Sequence, residues 1–254
     1  MNTADWLSLV PFLAVIFVLS GMVKGLSGFG MPFIAIPAST IVLNVPITQA
    51  MSWVLVSGFA TNIVQLFQNR GHWRVLLEIW PLILTLLVTM VFSVQLLSVL
   101  DSNVLSMILG VVMVISIVSQ SRKKWEVAPE RKTLIFTVSG FASGMIGGLT
   151  SFYGFPSLQT LLASGMKKDA FIFSASFLLF AGAVLLAIGL GSQGLMTVQD
   201  GFLSIALFIP AVIGMLLGQK IRDRLSLKVF ERVVMVVLLL TGLSMLIRGI
   251  VQSF

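Results

Sequence analysis

Two short segments of the sequence combine glycine, hydroxyl side chains and proline in an order that suits the binding of a small anion. The first is GLSGFGMP, residues 25–32, and the second is GLTSFYGFP, residues 148–156. Glycine permits a positive φ and a close approach of a ligand to the backbone, while Pro32 and Pro156 suit the first turn of a helix that restarts after a break. The N-terminus of such a helix attracts oxyanions such as carboxylate, sulfite or sulfonate. The candidate ligand-binding residues in these segments are Ser27, Gly28, Gly30, Thr150, Ser151 and Gly154.

Four further polar residues near these segments are candidates for the same site. Lys24 is the only basic residue that adjoins a break, and it either attracts the anion or extends its ammonium to the membrane surface. Asn62 and Gln65 are three residues apart on one face of a helix, where two carboxamides bind a ligand or join helices. Gln159 follows the second break and either contacts the ligand or caps the loop. The hydroxyl candidates have an alternative too, since such residues often bond their own backbone carbonyls.

Other glycines repeat at intervals of four residues, which is typical of closely packed membrane helices. This spacing predicts helix packing, rather than ligand contact, for glycines of three groups: Gly21 and Gly25; Gly140, Gly144 and Gly148; Gly214 and Gly218.

The groups that most enzymes need are missing from the interior of the predicted spans. The chain has no cysteine, and its nine acidic residues all fall in loops or at the ends of apolar runs. There is no HExxH motif, no Ser/His/Asp set and no pair of carboxylates within a span. We therefore expect neither an enzyme nor a metal site nor a cofactor, and we assign His72 no function.

The elements that position these residues are membrane-spanning helices. Of the 254 residues, 57% are hydrophobic and 10% are charged, too few charges to cover the surface of a soluble domain. Several continuous apolar runs reach the roughly 20 residues that span a bilayer as helix. We predict an all-α polytopic membrane protein with eight spans, near residues 6–24, 47–68, 75–97, 102–120, 133–150, 168–190, 200–219 and 229–249. Two shorter apolar segments, at 32–44 and 156–165, are predicted to be short or re-entrant helices.

Basic residues predict the orientation of the spans. Arg70 with Arg74, the 122–132 loop, Lys167 with Lys168, and the 220–228 loop mark cytoplasmic ends. The net charge of +7 therefore indicates topology rather than nucleic-acid binding. Both termini are predicted on the periplasmic side of the inner membrane, with Arg248 as the one basic residue at the opposite face.

The chain is predicted to consist of two repeats of opposite topology. Residues 1–124 form the first repeat, 125–132 a cytoplasmic linker and 133–254 the second repeat. Residues 21–27 (GMVKGLS) correspond to 144–150 (GMIGGLT), and 28–32 correspond to 151–156 with one inserted residue. Inverted repeats with broken helices at matching positions are the pattern by which many transporters build a central substrate site.

The paired segments, together with Pro37, resemble the signature of the TauE/SafE sulfite exporter family, and the resemblance spans the whole chain. The resemblance implies a secondary transporter that exports small sulfur-containing or organic anions by alternating access. Its expected partners are then a small anion, the lipid bilayer and a proton or another ion for coupling; the resemblance implies no oligomeric state. A channel-like facilitator and a non-transporting membrane scaffold or assembly factor are the alternatives. Met31, where the family often has glycine, and Phe155 depart from the signature and could reshape the site.

Overall fold

The computed structural model describes residues 3–27, 30–120, 126–222 and 227–251, and these residues are almost entirely helical, with no strand among them. The ten α-helices are α1 (Thr3–Ser27), α2 (Met31–Val42), α3 (Ile47–Gln68), α4 (Trp80–Gln95), α5 (Ser102–Gln120), α6 (Lys132–Thr150), α7 (Ser157–Ala163), α8 (Lys168–Ser192), α9 (Val198–Arg222) and α10 (Leu227–Val251). Short 3-10 helices cover Arg70–Leu77, Leu96–Ser98 and Pro129–Arg131. The predicted all-α fold class is confirmed.

Six helical segments are long and apolar enough to cross a membrane: α3, α4 together with the 3-10 turn Leu96–Ser98, α5, α6, α8 and α9. The two remaining predicted spans correspond to α1 and α10, which contain shorter apolar segments at Val10–Leu26 and Leu239–Val251. Large apolar side chains such as Phe92 and Phe202 lie on the outside of the bundle. A surface of this kind is stable in lipid rather than in water.

The span predicted at 75–97 begins differently in the structure. The residues Arg70–Leu77 form a 3-10 helix, and α4 begins only at Trp80 with Pro81 in its first turn. Proline has no backbone N–H and therefore favours a helix start at this position. The short segments predicted at 32–44 and 156–165 are the helices α2 and α7, shorter by one to three residues.

Helix α7 is re-entrant, because it runs back along the helix that precedes it. The Ser157 backbone N–H and hydroxyl both donate to Ser143 Oγ, at 2.9 and 2.6 Å. One turn further on, the Thr160 hydroxyl donates to Ser139 Oγ at 2.8 Å. Later residues of α7 thus contact earlier residues of α6, which means that the two helices are antiparallel. The chain therefore enters and leaves the break on the same side of the bundle.

The glycines spaced by four residues lie where helices touch, as their spacing predicts. A Cβ on Gly21 or Gly25 of α1 would overlap backbone carbonyls of α9, and a Cβ on Gly214 or Gly218 of α9 would overlap carbonyls of α1. Helices α6 and α4 meet in the same way, since Gly140 and Gly144 lie against α4 carbonyls. Helix α3 packs against both α8 and α9, while α5 packs against α10. These contacts hold the two breaks beside the central helices α3 and α8.

Candidate functional site

The first break requires glycine at its exit. Gly30 has a φ of 101° and a ψ of 0°, a left-handed conformation in which a side chain is strained. Helix α2 starts directly after it, with Pro32 in the first turn. Ser27 ends α1, but its side chain and the whole of Gly28 lie outside the described residues.

The second break begins at the end of α6. Ser151 adopts a φ of 64°, and its N–H donates to the Gly147 carbonyl at 2.9 Å. The Thr150 hydroxyl donates to the Ile146 carbonyl at 2.7 Å and accepts the Phe152 N–H at 3.2 Å. Thr150 therefore fits the alternative in which a hydroxyl side chain bonds the backbone of its own helix, and it caps the end of α6.

A small cavity lies where both breaks meet α3 and α8. It has a volume of about 20 Å³ for the centres of water molecules, which is room for about one water. Its polar lining comes from Lys24, Asn62 and Ser151, together with the glycines Gly30 and Gly58. The remaining lining is provided by Met31, Pro32, Val54, Leu55, Tyr153, Leu179 and Ala183. Four residues predicted from the sequence line this cavity: Lys24, Gly30, Asn62 and Ser151.

Lys24 is the one cation among the residues that line this cavity. Its side chain is 2% exposed, and its Nζ donates to Asn62 Oδ1 at 2.5 Å. The side chain therefore points into the bundle. The alternative interpretation, in which the ammonium extends to the membrane surface, does not describe Lys24. Within the described residues, the one ion pair is between Lys132 and Glu78, so no described carboxylate neutralises Lys24. A buried ammonium with only a neutral partner is costly, and it favours the approach of an anion.

Tyr153, the only tyrosine in the chain, forms one wall of the cavity. Its side chain lies against Gly147 of α6 and Gly182 of α8, at positions where a Cβ on either glycine would collide with it. Sequence reasoning did not single out Tyr153, although it is the residue inserted in the second segment relative to the first. Gly58 was also missed, and an added Cβ there would meet no atom within 4 Å.

Three predicted residues make other contacts. Gln65 accepts a hydrogen bond from the Ser176 hydroxyl at 3.1 Å, which joins α3 to α8. Gln159 donates to Ser119 Oγ at 2.8 Å and so joins α7 to α5. Gly154 does not line the cavity, and a Cβ there would meet Leu158 at 3.0 Å. For Gln65 this contact corresponds to the helix-joining alternative, whereas Gln159 joins two helices instead of capping the loop.

A family model described as sulfite exporter TauE/SafE matches residues 13–245, nearly the whole chain. The chain belongs to the TauE/SafE family. No curated protein and no solved structure matches it significantly.

The two departures from the TauE/SafE signature occupy different places. Met31 is 1% exposed and lines the cavity, directly after Gly30. Phe155 is partly buried against the apolar core and does not line the cavity. Of the two, Met31 is therefore the residue whose bulk narrows the central space of this TauE/SafE protein.

A buried carboxylate in this TauE/SafE chain lies at the end of the bundle that the sequence assigns to the periplasm. Asp200, in the first turn of α9, is 2% exposed. Its Oδ1 accepts hydrogen bonds from the Trp53 indole at 2.8 Å and the Gln49 amide at 3.2 Å, and its Oδ2 accepts the Thr197 hydroxyl at 2.6 Å. The Asp200 N–H donates to Thr197 Oγ1, which completes a capping box that residues 197–200 (TVQD) could have indicated. This network fixes the start of α9 to α3.

Proposed function

We propose that this protein is a secondary transporter that exports small sulfur-containing or organic anions, such as sulfite or sulfonates, and that the anion binds in the cavity between the two breaks. The observation that carries the proposal is the position of Lys24: a buried lysine side chain, without a described carboxylate partner, in a cavity lined from both halves of the chain. Membership of the TauE/SafE family agrees with this substrate class.

The groups around Lys24 suit an oxyanion. A charge in the centre of a membrane helix costs roughly 2.5–3.5 kcal/mol on insertion scales, and an anion beside it would offset much of this cost. Asn62 accepts from Lys24 through Oδ1, so its amide N–H groups remain available as donors to the same anion. Ser151 and the backbone at Gly30 add further polar groups to the lining of the same cavity.

Alternating access of two inverted repeats is the mechanism we propose. In each half the helices follow the order long, short, long, long, long, from α1 to α5 and from α6 to α10. The contacts are reciprocal, since α1 packs on α9 and the corresponding helix α6 packs on α4. A cavity of about 20 Å³ is too small for a sulfite ion, so its walls have to move apart to admit one. A central space this narrow favours a transporter over a channel-like facilitator.

The proposed membrane is the inner membrane, with the basic ends in the cytoplasm. Lys132 and Glu78 form an ion pair at 3.2 Å at one end of the bundle. At the other end, hydrogen bonds join Ile47 to Ser102 and Gln193 to Val94. Residues that the charge pattern assigns to one face thus lie together. This grouping supports the relative direction of the spans, and the positive-inside rule supplies their absolute direction.

Flux measurements in proteoliposomes test the proposal. Vesicles loaded with sulfite, sulfoacetate or taurine are compared with and without a pH gradient, and with protein-free vesicles as the control. We expect saturable flux and counterflow of at least one of these solutes, two of which are anions and one, taurine, a zwitterionic sulfonate; counterflow would not occur through a channel-like facilitator. Absence of protein-dependent flux for every anion under both conditions would favour the scaffold alternative and contradict a transporter.

A further inference from the structure

A second concave site, separate from the central cavity, lies at the end of the bundle that contains the basic loops. It has a volume of about 480 Å³, against about 20 Å³ for the central cavity. Three parts of the chain form it: the 3-10 helix Arg70–Leu77 with Glu78, the first residue of α6, and the loop from α7 to α8. We call it the basic pocket and define it by its charged residues, Arg74, Glu78, Lys132 and Lys167.

The basic pocket has an excess of positive charge. Three basic residues line it against the single carboxylate of Glu78, and Lys132 already pairs with that carboxylate at 3.2 Å. Within the described residues this is the only ion pair, so Arg74 and Lys167 face the pocket without an acidic partner. His72 and the Ser164 hydroxyl supply further hydrogen-bonding groups on the same walls. Guanidinium and ammonium groups converging on one concavity are the usual donors to a phosphate.

The two helices that lead away from the basic pocket, α4 and α6, carry exposed apolar side chains. On α4, Trp80, Leu84 and Val88 form an exposed stripe with a spacing of four residues, and on the adjacent α6, Leu134, Val138 and Phe141 form a second stripe. Each stripe begins two residues beyond a residue that lines the pocket, Glu78 or Lys132. Exposed Trp73 and Trp80 flank the pocket, as expected where a membrane protein meets the headgroup layer.

We propose that the basic pocket binds the phosphate of an anionic phospholipid in the leaflet at the basic end of the bundle, with the acyl chains along the α4 and α6 stripes. A lipid headgroup and a free phosphate ion would both bind through a phosphate held by Arg74 and Lys167. The apolar stripes favour the lipid, because a free phosphate ion has no acyl chains to contact them. Basic pockets between helices on the cytoplasmic side are a known means of recognising anionic headgroups. This inference is independent of the substrate carried through the central cavity.

Native mass spectrometry of the detergent-solubilised full chain tests the proposal. The first bound lipid is titrated with phosphatidylglycerol and with phosphatidylcholine of the same acyl chains, and inorganic phosphate is added as a competitor. We expect phosphatidylglycerol to bind at least about fivefold more tightly, and Arg74→Gln and Lys167→Gln each to reduce this preference about fivefold, since a basic residue near a charged membrane surface contributes roughly 1 kcal/mol. The matched control is Lys220→Gln, an exposed lysine at the end of α9 outside the pocket, which should keep the preference.

The two pocket variants lie in different elements, so a folding defect in one leaves the other as the test. Equal affinity for the two lipids would overturn the proposal, as would a preference that survives both pocket substitutions. An equal loss in Lys220→Gln would assign the effect to overall surface charge. Displacement of phosphatidylglycerol by millimolar inorganic phosphate would assign the pocket to a soluble anion instead of a lipid.

Discussion

At the scale of single residues, the two halves contribute different chemistry to the cavity. In the alignment of residues 21–27 with 144–150, Lys24 corresponds to Gly147. The Tyr153 side chain occupies the space that a side chain at Gly147 would need. The first half therefore supplies an ammonium, and the second half supplies an aromatic wall with a phenol. Under the proposed arrangement of two inverted repeats, an approximately symmetric scaffold would thus build an asymmetric site.

Gly58 offers the cleanest residue-scale test of this cavity. It lies inside α3, lines the cavity, and an added Cβ would meet no atom within 4 Å. Gly58→Ala should therefore keep or raise the stability of the protein, by up to about 1 kcal/mol from helix propensity. The new methyl group enters a space with room for about one water, so the affinity for the transported anion should fall by about tenfold, in line with overpacking costs of roughly 1–3 kcal/mol.

The measurement for Gly58→Ala is the shift of melting temperature with anion concentration in detergent. Gly191→Ala is the matched control, because Gly191 lies in α8, has open space around it and is outside the cavity. Unchanged anion affinity in Gly58→Ala would place the binding site elsewhere. Gly30 is less suitable for this purpose, since its φ of 101° makes any side chain strained regardless of the ligand.

At the scale of elements, glycine contacts determine which helices lie together. Helices α1 and α9 approach so closely that backbone carbonyls of each fill the space beside glycines of the other. Helices α4 and α6 repeat this arrangement, and the Ser93 hydroxyl strengthens it by donating to the Gly144 carbonyl at 2.8 Å. Close packing and interhelical hydrogen bonds are the main stabilising contacts available between helices in lipid.

Gly214→Ala should consequently destabilise the protein. A Cβ at this position would overlap the Val18 carbonyl, and a backbone atom of a packed helix cannot move aside cheaply. We expect a loss of roughly 1–3 kcal/mol or more, seen as a lower melting temperature and a lower folded yield. Gly201→Ala in the same helix is the control, because its Cβ would meet only Met196 at an ordinary 3.5 Å. Equal stability of the two variants would show that α1 and α9 are not packed as described.

The sequence predicts those features that depend on local pattern. Apolar runs predict the spans, glycine spacing predicts the packed faces, and Pro32 beside Gly30 predicts the start of α2. Contacts between distant residues are different, because they depend on how the helices assemble. Lys24 and Asn62 are 38 residues apart, and nothing in the local pattern around either one indicates their hydrogen bond. For the same reason the sequence placed Gln159 near the break but did not indicate that its side chain contacts α5.

At the scale of the whole molecule, one apparent exception to the charge pattern has a structural role. Arg248, near the end of α10, donates to the Thr40 carbonyl and to Asn44 Oδ1 at the end of α2. The last carbonyls of a short helix inside a membrane need such a donor, because lipid offers none. Arg248 is therefore explained by the cap it provides to α2, although its charge lies at the face with few basic residues.

The predicted orientation of the whole bundle can be tested on the natural cysteine-free background. Ser98→Cys lies at the end predicted to face the periplasm, and Glu130→Cys lies at the end predicted to face the cytoplasm; both positions are exposed. A membrane-impermeant maleimide should label Ser98→Cys in intact cells and label Glu130→Cys only after lysis. Labelling in the reverse order would require the orientation to be inverted.

The central claim is that an anion binds beside Lys24, and Lys24→Gln tests it most directly. Bound ligand stabilises the folded protein by roughly RT ln(1 + [L]/Kd), so melting curves at increasing sulfite, sulfoacetate or taurine give the affinity, while the curve without ligand gives the basal stability. Glutamine keeps a hydrogen-bonding side chain of similar length but removes the buried charge. We expect Lys24→Gln to have a basal stability equal to or above that of the wild type, because a buried ammonium is costly. We expect its anion affinity to fall at least about tenfold, and the affinity of Lys220→Gln to stay unchanged. Retention of wild-type anion affinity in a folded Lys24→Gln protein would contradict the central claim.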